Sequence, residues 1–430
     1  MGRYNEGERL TIVGSLNLDN DAKNMKQNDD QVVVHFGPSL NLEAVISLLP
    51  FSVDCKRDGT SQIRLNDQGL LNIQHWRPKL DQVLEAAEQK PLGSEDDPES
   101  VALDITFIGY DHFYGIREHA GPMAPKQTRA GVNGQYSEPY RVYNTDVFEY
   151  ELNSPMILYG VIPFMQARRK DSHSNKNINK HWISEAGLLE VSVFLGPTPK
   201  DVLKDYVSLT GTTALPQEVS VAYHQYRWNY VSYDDVKDVG HGMDRFRIPY
   251  DAIWLDIDMG KQLDAFGRKF IVIIDPHFQN TNGYKIVSEL KAIDLAVHTR
   301  DGDIFEGHCW PGASHWIDCF NPASVEWWSG LFNYTVSRGT MENTFVWNDM
   351  NEPSVFNSPD ITMPKDNLYF DKWEHHDLHN LNGTTFHNAT YHAMMSRKAG
   401  ELRRPFVLTR SFFAGSQSYR AAWSGDNQAS

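Results

Sequence analysis

The sequence predicts an α/β protein, with an N-terminal β-sandwich followed by a (β/α)8 TIM-type barrel that stops after its sixth strand. Three observations carry that reading. Short strand-like runs broken by Gly, Pro and Asp turns fill much of residues 31–196. From Pro216 onward, apolar runs alternate with helical stretches. Each of those later runs finishes in polar residues, as barrels do where they carry their chemistry.

The chain has 430 residues, more than one hydrophobic core usually serves, so two domains are expected. The boundaries read as a poorly defined segment at 1–30, a β-sandwich at 31–196 and a barrel at 197–430. Gln31–Phe36 and Ile46–Val53 are strand-like, and Cys55–Gly59 reads as a turn. Asn66-Asp-Gln-Gly69 between Ile63–Leu65 and Leu70–Ile73 is a hairpin signal. Val101, Leu103, Ile105 and Phe107 keep period 2, the mark of a strand with one buried face. Arg168–Lys180 reads as a polar loop, and Leu188–Leu195 as the next strand. Thr198-Pro199 then opens a helix with a cap and a proline in its first turn, and Gly211 ends it.

In the second part the strand candidates are Val219–Tyr226, Ala252–Ile257, Phe270–Ile274, Thr344–Trp347, Phe406–Leu408 and Ala421–Trp423. Asn321–Leu331 and Phe386–Lys398 are helical between them. Apolar runs of this kind imply a parallel sheet covered on both faces. A doubly wound sheet is the alternative, weakened because a Gly-rich phosphate loop does not follow the first strand.

Composition narrows the function classes. The net charge of −16 disfavours nucleic acid and anionic lipid as partners. No window approaches the roughly 18 apolar residues of a membrane span. The start, Met1-Gly-Arg-Tyr-Asn-Glu6, has no apolar signal region. Cys55, Cys309 and Cys319 lack zinc spacing and read as free thiols. Glu374-His-His-Asp-Leu-His379 is dense in metal-ligand types, yet adjacent histidines cannot face one ion from a regular element. A polar loop is the expectation there, with no metal and no cofactor. Asn333, Asn382 and Asn388 head N-x-Thr sequons.

Two carboxylates at the ends of different strands are what glycoside hydrolysis needs. Asp349 and Asp426 are the best pair, each following a tryptophan, Trp347 or Trp423, that could wall a sugar site. Arg410 ends another strand and could hold a hydroxyl or keep one carboxylate ionised. A structural ion pair is the bland alternative for it. A helix N-cap is the bland alternative for each Asp. Glu352 rivals Asp349 as nucleophile, and only one of Asp256 and Asp258 should point inward.

Longer motifs then single out a family. Trp347-Asn-Asp-Met-Asn-Glu-Pro-Ser354, Trp254-Leu-Asp-Ile257, Leu408-Thr-Arg-Ser-Phe-Phe-Ala-Gly-Ser416 and Trp423-Ser-Gly-Asp-Asn427 resemble glycoside hydrolase family 31. So do Cys309-Trp-Pro-Gly312, Trp373-Glu-His375, Arg404–Leu408, Phe113–His119 and Glu138–Arg141. The resemblance implies a retaining alpha-glucosidase, with Asp349 as nucleophile and Asp426 as acid/base. Asp256 and Arg410 would bind hydroxyls of the terminal glucose, and Trp310, Trp347, Met350 and Trp423 would line the pocket. It further implies trimming of alpha-1,3-glucose from N-linked glycans in the endoplasmic reticulum beside a noncatalytic beta subunit, with a cytoplasmic location as the alternative. The second hypothesis is a truncated, inactive relative that binds carbohydrate or a partner. Departures from the family pattern are a short Asp258–Lys269 connection, Gly121 in place of an aspartate, and an end at Ser430.

Overall fold

In the computed structural model the described residues are 24–37, 39–75, 98–128, 138–147, 150, 152–154, 156–169, 176–185, 189–227, 230–254, 267–397, 404–419 and 421–426. Asp256, Asp258 and Asn427 lie outside them. The chain forms two compact units. The first comprises Met1–Ile116, Gly121–Glu138 and Pro163–Thr212; the second comprises Arg117–Ala120, Pro139–Ile162 and Thr213–Ser430.

The first unit holds the strands β1 (Met25–Gln27), β2 (Gln31–Phe36), β3 (Leu42–Leu48), β4 (Phe51–Arg57), β5 (Thr60–Leu65), β6 (Asn72–His75), β7 (Pro98–Ile108), β8 (His112–Arg117) up to Ile116, β9 (Gly160–Arg168) from Pro163 onward, and β10 (Asn177–Ser184). Eight of them make one sheet in the order β1-β2-β3-β4-β5-β7-β10, with β6 also on β7. Leu103, Ile105 and Phe107 of β7 cluster with Phe113 of β8, with Met165 and Ala167 of β9 packed against them.

Several local expectations change here. Ile46–Val53 is not one strand but the β3–β4 hairpin, and Cys55 lies inside β4 with the turn at Asp58-Gly59. Asn66–Gly69 does not close a hairpin, because β5 and β6 both pair with β7. The buried Asp104 carboxylate holds that turn, accepting the Gln68 and Leu70 N–H groups at 2.8 and 2.9 Å. Its alternate side of β7 is therefore buried too, with polar groups. The Arg168–Lys180 tract has the composition of a loop, but Asn177–Lys180 begin β10. There Ile178, Lys180 and Trp182 are partly covered at period 2, a signal hidden by the polar composition. The described part of Leu188–Leu195 forms no strand.

Helix α1 (Pro199–Thr210) starts where the sequence places it. The Thr198 hydroxyl accepts the Asp201 N–H, and the Asp201 carboxylate returns a bond to the Thr198 backbone, satisfying donors that the first turn leaves open.

The second unit contains a parallel sheet of β11 (His224–Gln225), β12 (Ala252–Trp254), β13 (Lys269–Ile274), β17 (Thr344–Asn348) and β18 (Val407–Thr409), in chain order. A separate antiparallel sheet holds β14 (His277–Gln279), β15 (Gly307–Cys309) and β16 (Gly312–Trp316). The helices are α2 (Tyr233–Arg245), α3 (Lys285–Ala292), α4 (Pro322–Leu331) and α5 (His375–Ser396). A final short strand, β19 (Phe412–Phe413), pairs in parallel with Gly160-Val161.

Alternate residues of the parallel strands enter two cores. Ile253, Phe270, Val272, Val346 and Val407 join Val287 and Leu290 of α3, Trp328 of α4 and Phe386 and Ala389 of α5. Ala252, Trp254, Ile271, Phe345, Trp347 and Leu408 form the opposite face. A sheet apolar on both sides is what parallel crossovers produce. Of Val219–Tyr226 the first three residues belong to a 3-10 turn, and only His224 and Gln225 are in the strand. Helix α5 begins eleven residues before the expected Phe386, so Glu374–His379 is its N-terminal turn and not a loop. Cys55, Cys309 and Cys319 are buried free thiols. Among the described residues, no helix is long and apolar enough to cross a membrane.

Candidate active site

The site grows from the register of three neighbouring strands. Ile274 of β13 stands opposite Asn348 of β17, and Asn348 opposite Thr409 of β18. The next residue on each strand is therefore level with the others: Asp275, Asp349 and Arg410. Two backbone bonds extend the ladder by that one step, from Asp349 N–H to Ile274 O at 3.2 Å and from Arg410 N–H to Asn348 O at 2.9 Å. Three unconnected sequence positions thus meet at one sheet edge.

Arg410 is the electrostatic centre. It is buried, and its guanidinium faces three carboxylates. Nε and Nη2 donate to Glu352 Oε1 and Oε2 at 2.9 and 2.7 Å. Nε also lies 3.1 Å from Asp349 Oδ1, and Nη1 lies 3.4 Å from Asp146 Oδ1. The Tyr159 ring packs below, 4.6 Å from the guanidinium carbon. Asp146 has a second anchor, because Ser354 Oγ donates to its Oδ2 at 2.8 Å.

One cation among so many buried carboxylates cannot neutralise them all, and the proton affinities reflect it. Burial pushes Glu352 up to about 7 against the pull of Arg410. Burial, reinforced by the charge of Asp349, pushes Asp275 up to about 7 as well. Asp349 is raised by burial, opposed by Arg410 and by a backbone bond from Met350, while the charges of Asp426 and Asp146 raise it further. The three carboxylates around Arg410 hold its guanidinium well above its ordinary range despite burial.

Asp426 is gripped differently. Its Oδ2 accepts from Tyr159 Oη at 2.9 Å and from Trp423 Nε1 at 3.1 Å, both neutral donors. Trp423 belongs to an aromatic group with Trp347, at 4.6 Å between ring centroids, and Trp254, at 6.1 Å. Trp254 itself donates its ring N–H to His224 Nδ1 at 3.1 Å, while His224 Nε2 bonds Val219 O at 2.7 Å. Both ring nitrogens of His224 are thereby taken up in structural hydrogen bonds. Asn351, next to Met350, ties strand end to helix. It donates to Thr409 Oγ1 at 2.8 Å and Gly383 O at 3.3 Å, and accepts the Ser411 N–H at 2.8 Å.

The structure therefore brings together Asp349, Arg410, Trp347, Trp423 and Asp426 out of the residues singled out in the sequence. Met350 is buried with Val297, Phe305, Trp316 and Val355, in a left-handed backbone conformation. Trp310 is 59 % exposed at the β15–β16 turn, with its ring edge-on to Phe356 at 5.0 Å. Asp256 lies outside the described residues. Sequence reading missed Asp146 and Tyr159, which stand far from any strand end of the barrel sequence and carry no local signal. Asp275 had a signal, as the polar residue ending Phe270–Ile274, but was not selected. Among the described residues no group of His, Cys, Asp or Glu is arranged to hold a metal ion.

Comparison with known proteins agrees with this geometry. The model of the glycosyl hydrolases family 31 TIM-barrel domain matches residues 213–430, and the family 31 N-terminal galactose mutarotase-like domain matches residues 1–174. Glucosidase 2 subunit alpha of Schizosaccharomyces pombe is 38% identical across 97% of this chain and 50% of its own length. Neutral alpha-glucosidase AB of Dictyostelium discoideum is 41% identical across 80% of this chain and 40% of its own. A crystal structure of the glucosidase II alpha subunit in a DNJ-bound form superposes with a TM-score of 0.87 at 55% identity, over 95% of this chain and 50% of that one. Another glucosidase II structure, titled as an ER heterodimeric complex of catalytic subunit and regulatory-subunit binding domain, gives the same TM-score of 0.87. The chain spans about half the length of these relatives. With half of its residues matched by the barrel model and a strand-edge cluster of carboxylates to go with it, the chain belongs to glycosyl hydrolase family 31.

Proposed function

We propose that this chain carries the catalytic centre of a retaining alpha-glucosidase acting on terminal alpha-linked glucose. The observation that carries the reading is the asymmetry of the two aspartates. Asp349 sits 3.1 Å from a buried guanidinium, whose charge opposes the rise that burial imposes on its carboxyl. Asp426 accepts from neutral donors, Tyr159 and Trp423. A carboxylate beside a fixed cation suits the nucleophile, and one held only by neutral donors suits the group that passes a proton.

In the first step an Asp349 oxygen forms a bond to the anomeric carbon while the bond to the leaving oxygen breaks. Asp426 gives its proton to that oxygen. In the second step Asp426 takes a proton from water, whose oxygen bonds the anomeric carbon as the bond to Asp349 breaks. Arg410, Trp347, Trp423, Met350 and Trp310 serve as substrate-site residues in this reading, together with Asp256. Glu352 is not the nucleophile in this reading, since both of its oxygens accept from Arg410.

The finer assignments rest on the motif resemblance to the family. The substrate would be an N-glycan bearing alpha-1,3-linked glucose, the location the endoplasmic reticulum lumen and the partner a noncatalytic beta subunit. Ala421–Trp423 is the sixth barrel strand in this reading, supported by the parallel bridge between Thr409 and Ala422. Hydrolysis of an aryl alpha-glucoside by the chain, against Asp349→Ala, tests the proposal. Turnover abolished in the variant is expected. A soluble, folded wild-type chain with no turnover would overturn it.

A further inference from the structure

The histidines at the start of α5 are not used by the carboxylate cluster, yet they reach both sides of it. His379 Nε2 lies 2.6 Å from the carbonyl oxygen of Asn144. A carbonyl only accepts, so Nε2 carries the proton and Nδ1 of the neutral ring must accept. The partner of Nδ1 is His375 Nε2 at 2.9 Å, which therefore donates. His375 Nδ1 is left as acceptor for the Tyr369 hydroxyl at 3.1 Å. Burial keeps both rings neutral, pushing His379 down to about 3 and His375 well below its usual range. Every proton in the chain Tyr369, His375, His379, Asn144 then has one direction.

What hangs from this chain is the segment that delivers Asp146. Tyr143 stacks on His379 with centroids 3.7 Å apart and planes within 9°. Asn380, one residue on, accepts the Asn144 N–H at 3.2 Å and donates to Val142 O at 3.0 Å. Asn144 itself donates to Ser411 Oγ, beside Arg410. On the other side Thr362 Oγ1 donates to Pro353 O at 2.6 Å, next to Glu352, and lies 3.3 Å from His375 Nε2. The histidine pair thus reaches one of the chain segments whose carboxylates flank Arg410 directly, at Asn144, and the other through Thr362.

We propose that His375 and His379 are positioning residues, whose directed hydrogen bonds set Asn144 and thereby hold Asp146 against the Arg410 guanidinium. The inference rests on the reading of Asp349, beside Arg410, as the reacting carboxylate. The bland alternative is a pair of core histidines that matter only for stability.

Two variants separate these. In His379→Gln the amide nitrogen reaches as far as Nε2 and can still donate to Asn144 O. In His379→Asn the shorter side chain can accept from His375 but leaves Asn144 O unmet. Crystal structures are expected to show the Asp146–Arg410 contact kept in H379Q and lost in H379N. With the aryl alpha-glucoside, kcat should fall roughly 10- to 100-fold in H379N, as expected for a small misplacement of catalytic groups, and stay within about threefold of wild type in H379Q. A contact intact in H379N, or equal kcat in both variants, would overturn the proposal. Histidine 15N NMR of the wild-type chain tests the proton directions without any variant: both rings must be Nε2–H tautomers, and an Nδ1–H form at either sinks the proposal. A wild-type chain without turnover would count against the nucleophile reading, while the crystal structures and tautomers would still decide the positioning role.

Discussion

Arg410 donates through Nε and Nη2 to both oxygens of Glu352, at 2.9 and 2.7 Å, and the same Nε stands 3.1 Å from Asp349. The fork consumes Glu352 and leaves Asp349 touched on one oxygen by one cation. Of two acidic residues three positions apart, one is held by a two-pronged fork and the other by a single contact.

Arg410→Lys tests the fork. A lysine keeps the charge but offers a point donor, so the two parallel bonds cannot be rebuilt. Removing one partner of a buried ion pair costs about 3–5 kcal/mol, and retention of the charge puts this variant at the lower end, near ~3 kcal/mol. The shift in urea midpoint measures it. An unchanged midpoint would mean that the fork adds nothing to stability.

The pH dependence has a sign that can be worked out. Glu352 ionises at its ordinary 4.5 when unfolded and at about 7 when folded. A raised carboxyl favours the folded state when protonated. Its contribution is complete below pH 4.5 and is lost as the pH rises to about 7. The depressed histidines act oppositely: the stability from His379 is present above 6.5 and lost as the pH falls toward about 3. Wild-type stability mixes the two, so the useful quantity is the difference between wild type and Glu352→Gln. Between pH 4.5 and about 7 the variant's stability should fall less steeply with rising pH. Parallel curves across that window would show that Glu352 does not titrate there.

How much of this could be read in the sequence depends on the length of chain over which each signal acts. Thr344–Asn348 and Val407–Thr409 are apolar runs with polar ends, and they are strands with Asp349 and Arg410 at their tips. Capping chemistry fixed α1 within a residue because it involves only neighbours. Local composition misled where pairing decides. Asn177–Lys180 is polar enough to read as loop, yet it begins β10, all eight positions of which pair with the long strand β7. Asp146 was illegible for a stronger reason. Its role exists only through Arg410, Ser354 and Asn144's bond to a helix more than two hundred residues away. The histidines of α5 were visible as a cluster, but the helix that orients them was not, because burial on nearly every side erases amphipathic periodicity.

Gly383→Ala pits two opposed effects against each other. Inside α5 an alanine gains about 1 kcal/mol of helix propensity. A Cβ there would stand 2.5 Å from Ser411 Oγ, 2.6 Å from its Cβ and 2.7 Å from its carbonyl oxygen. The hydroxyl could rotate, but the carbonyl could not. Overpacking of this kind costs about 1–3 kcal/mol, so the net effect lies between none and a loss of roughly 2 kcal/mol. Because Ser411 follows Arg410 and its N–H is held by Asn351 at 2.8 Å, turnover should fall as well. Thermal unfolding and kcat, measured together, check this; a variant more stable than wild type would mean that Ser411 yields freely.

The three sequons are not equivalent once folded. Asn382 is buried in α5, donating to Asn351 O at 3.1 Å and lying 3.3 Å from Cys319 Sγ. Asn388 is half-covered in the same helix. A glycan on Asn382 would have to break the Asn351 bridge next to the site and could not be accommodated in folded protein. Asn333 is exposed beyond α4, and its Oδ1 accepts the Thr335 N–H and hydroxyl at 3.0 and 2.9 Å. Those bonds use the oxygen and not Nδ2, the atom that would carry the sugar. Folded chain secreted from a eukaryotic host should therefore carry glycan at Asn333 and none at Asn382. Peptide mass spectrometry with and without amidase treatment reads this directly. Occupancy at Asn382 in folded material would contradict the packing of α5 against Asn351.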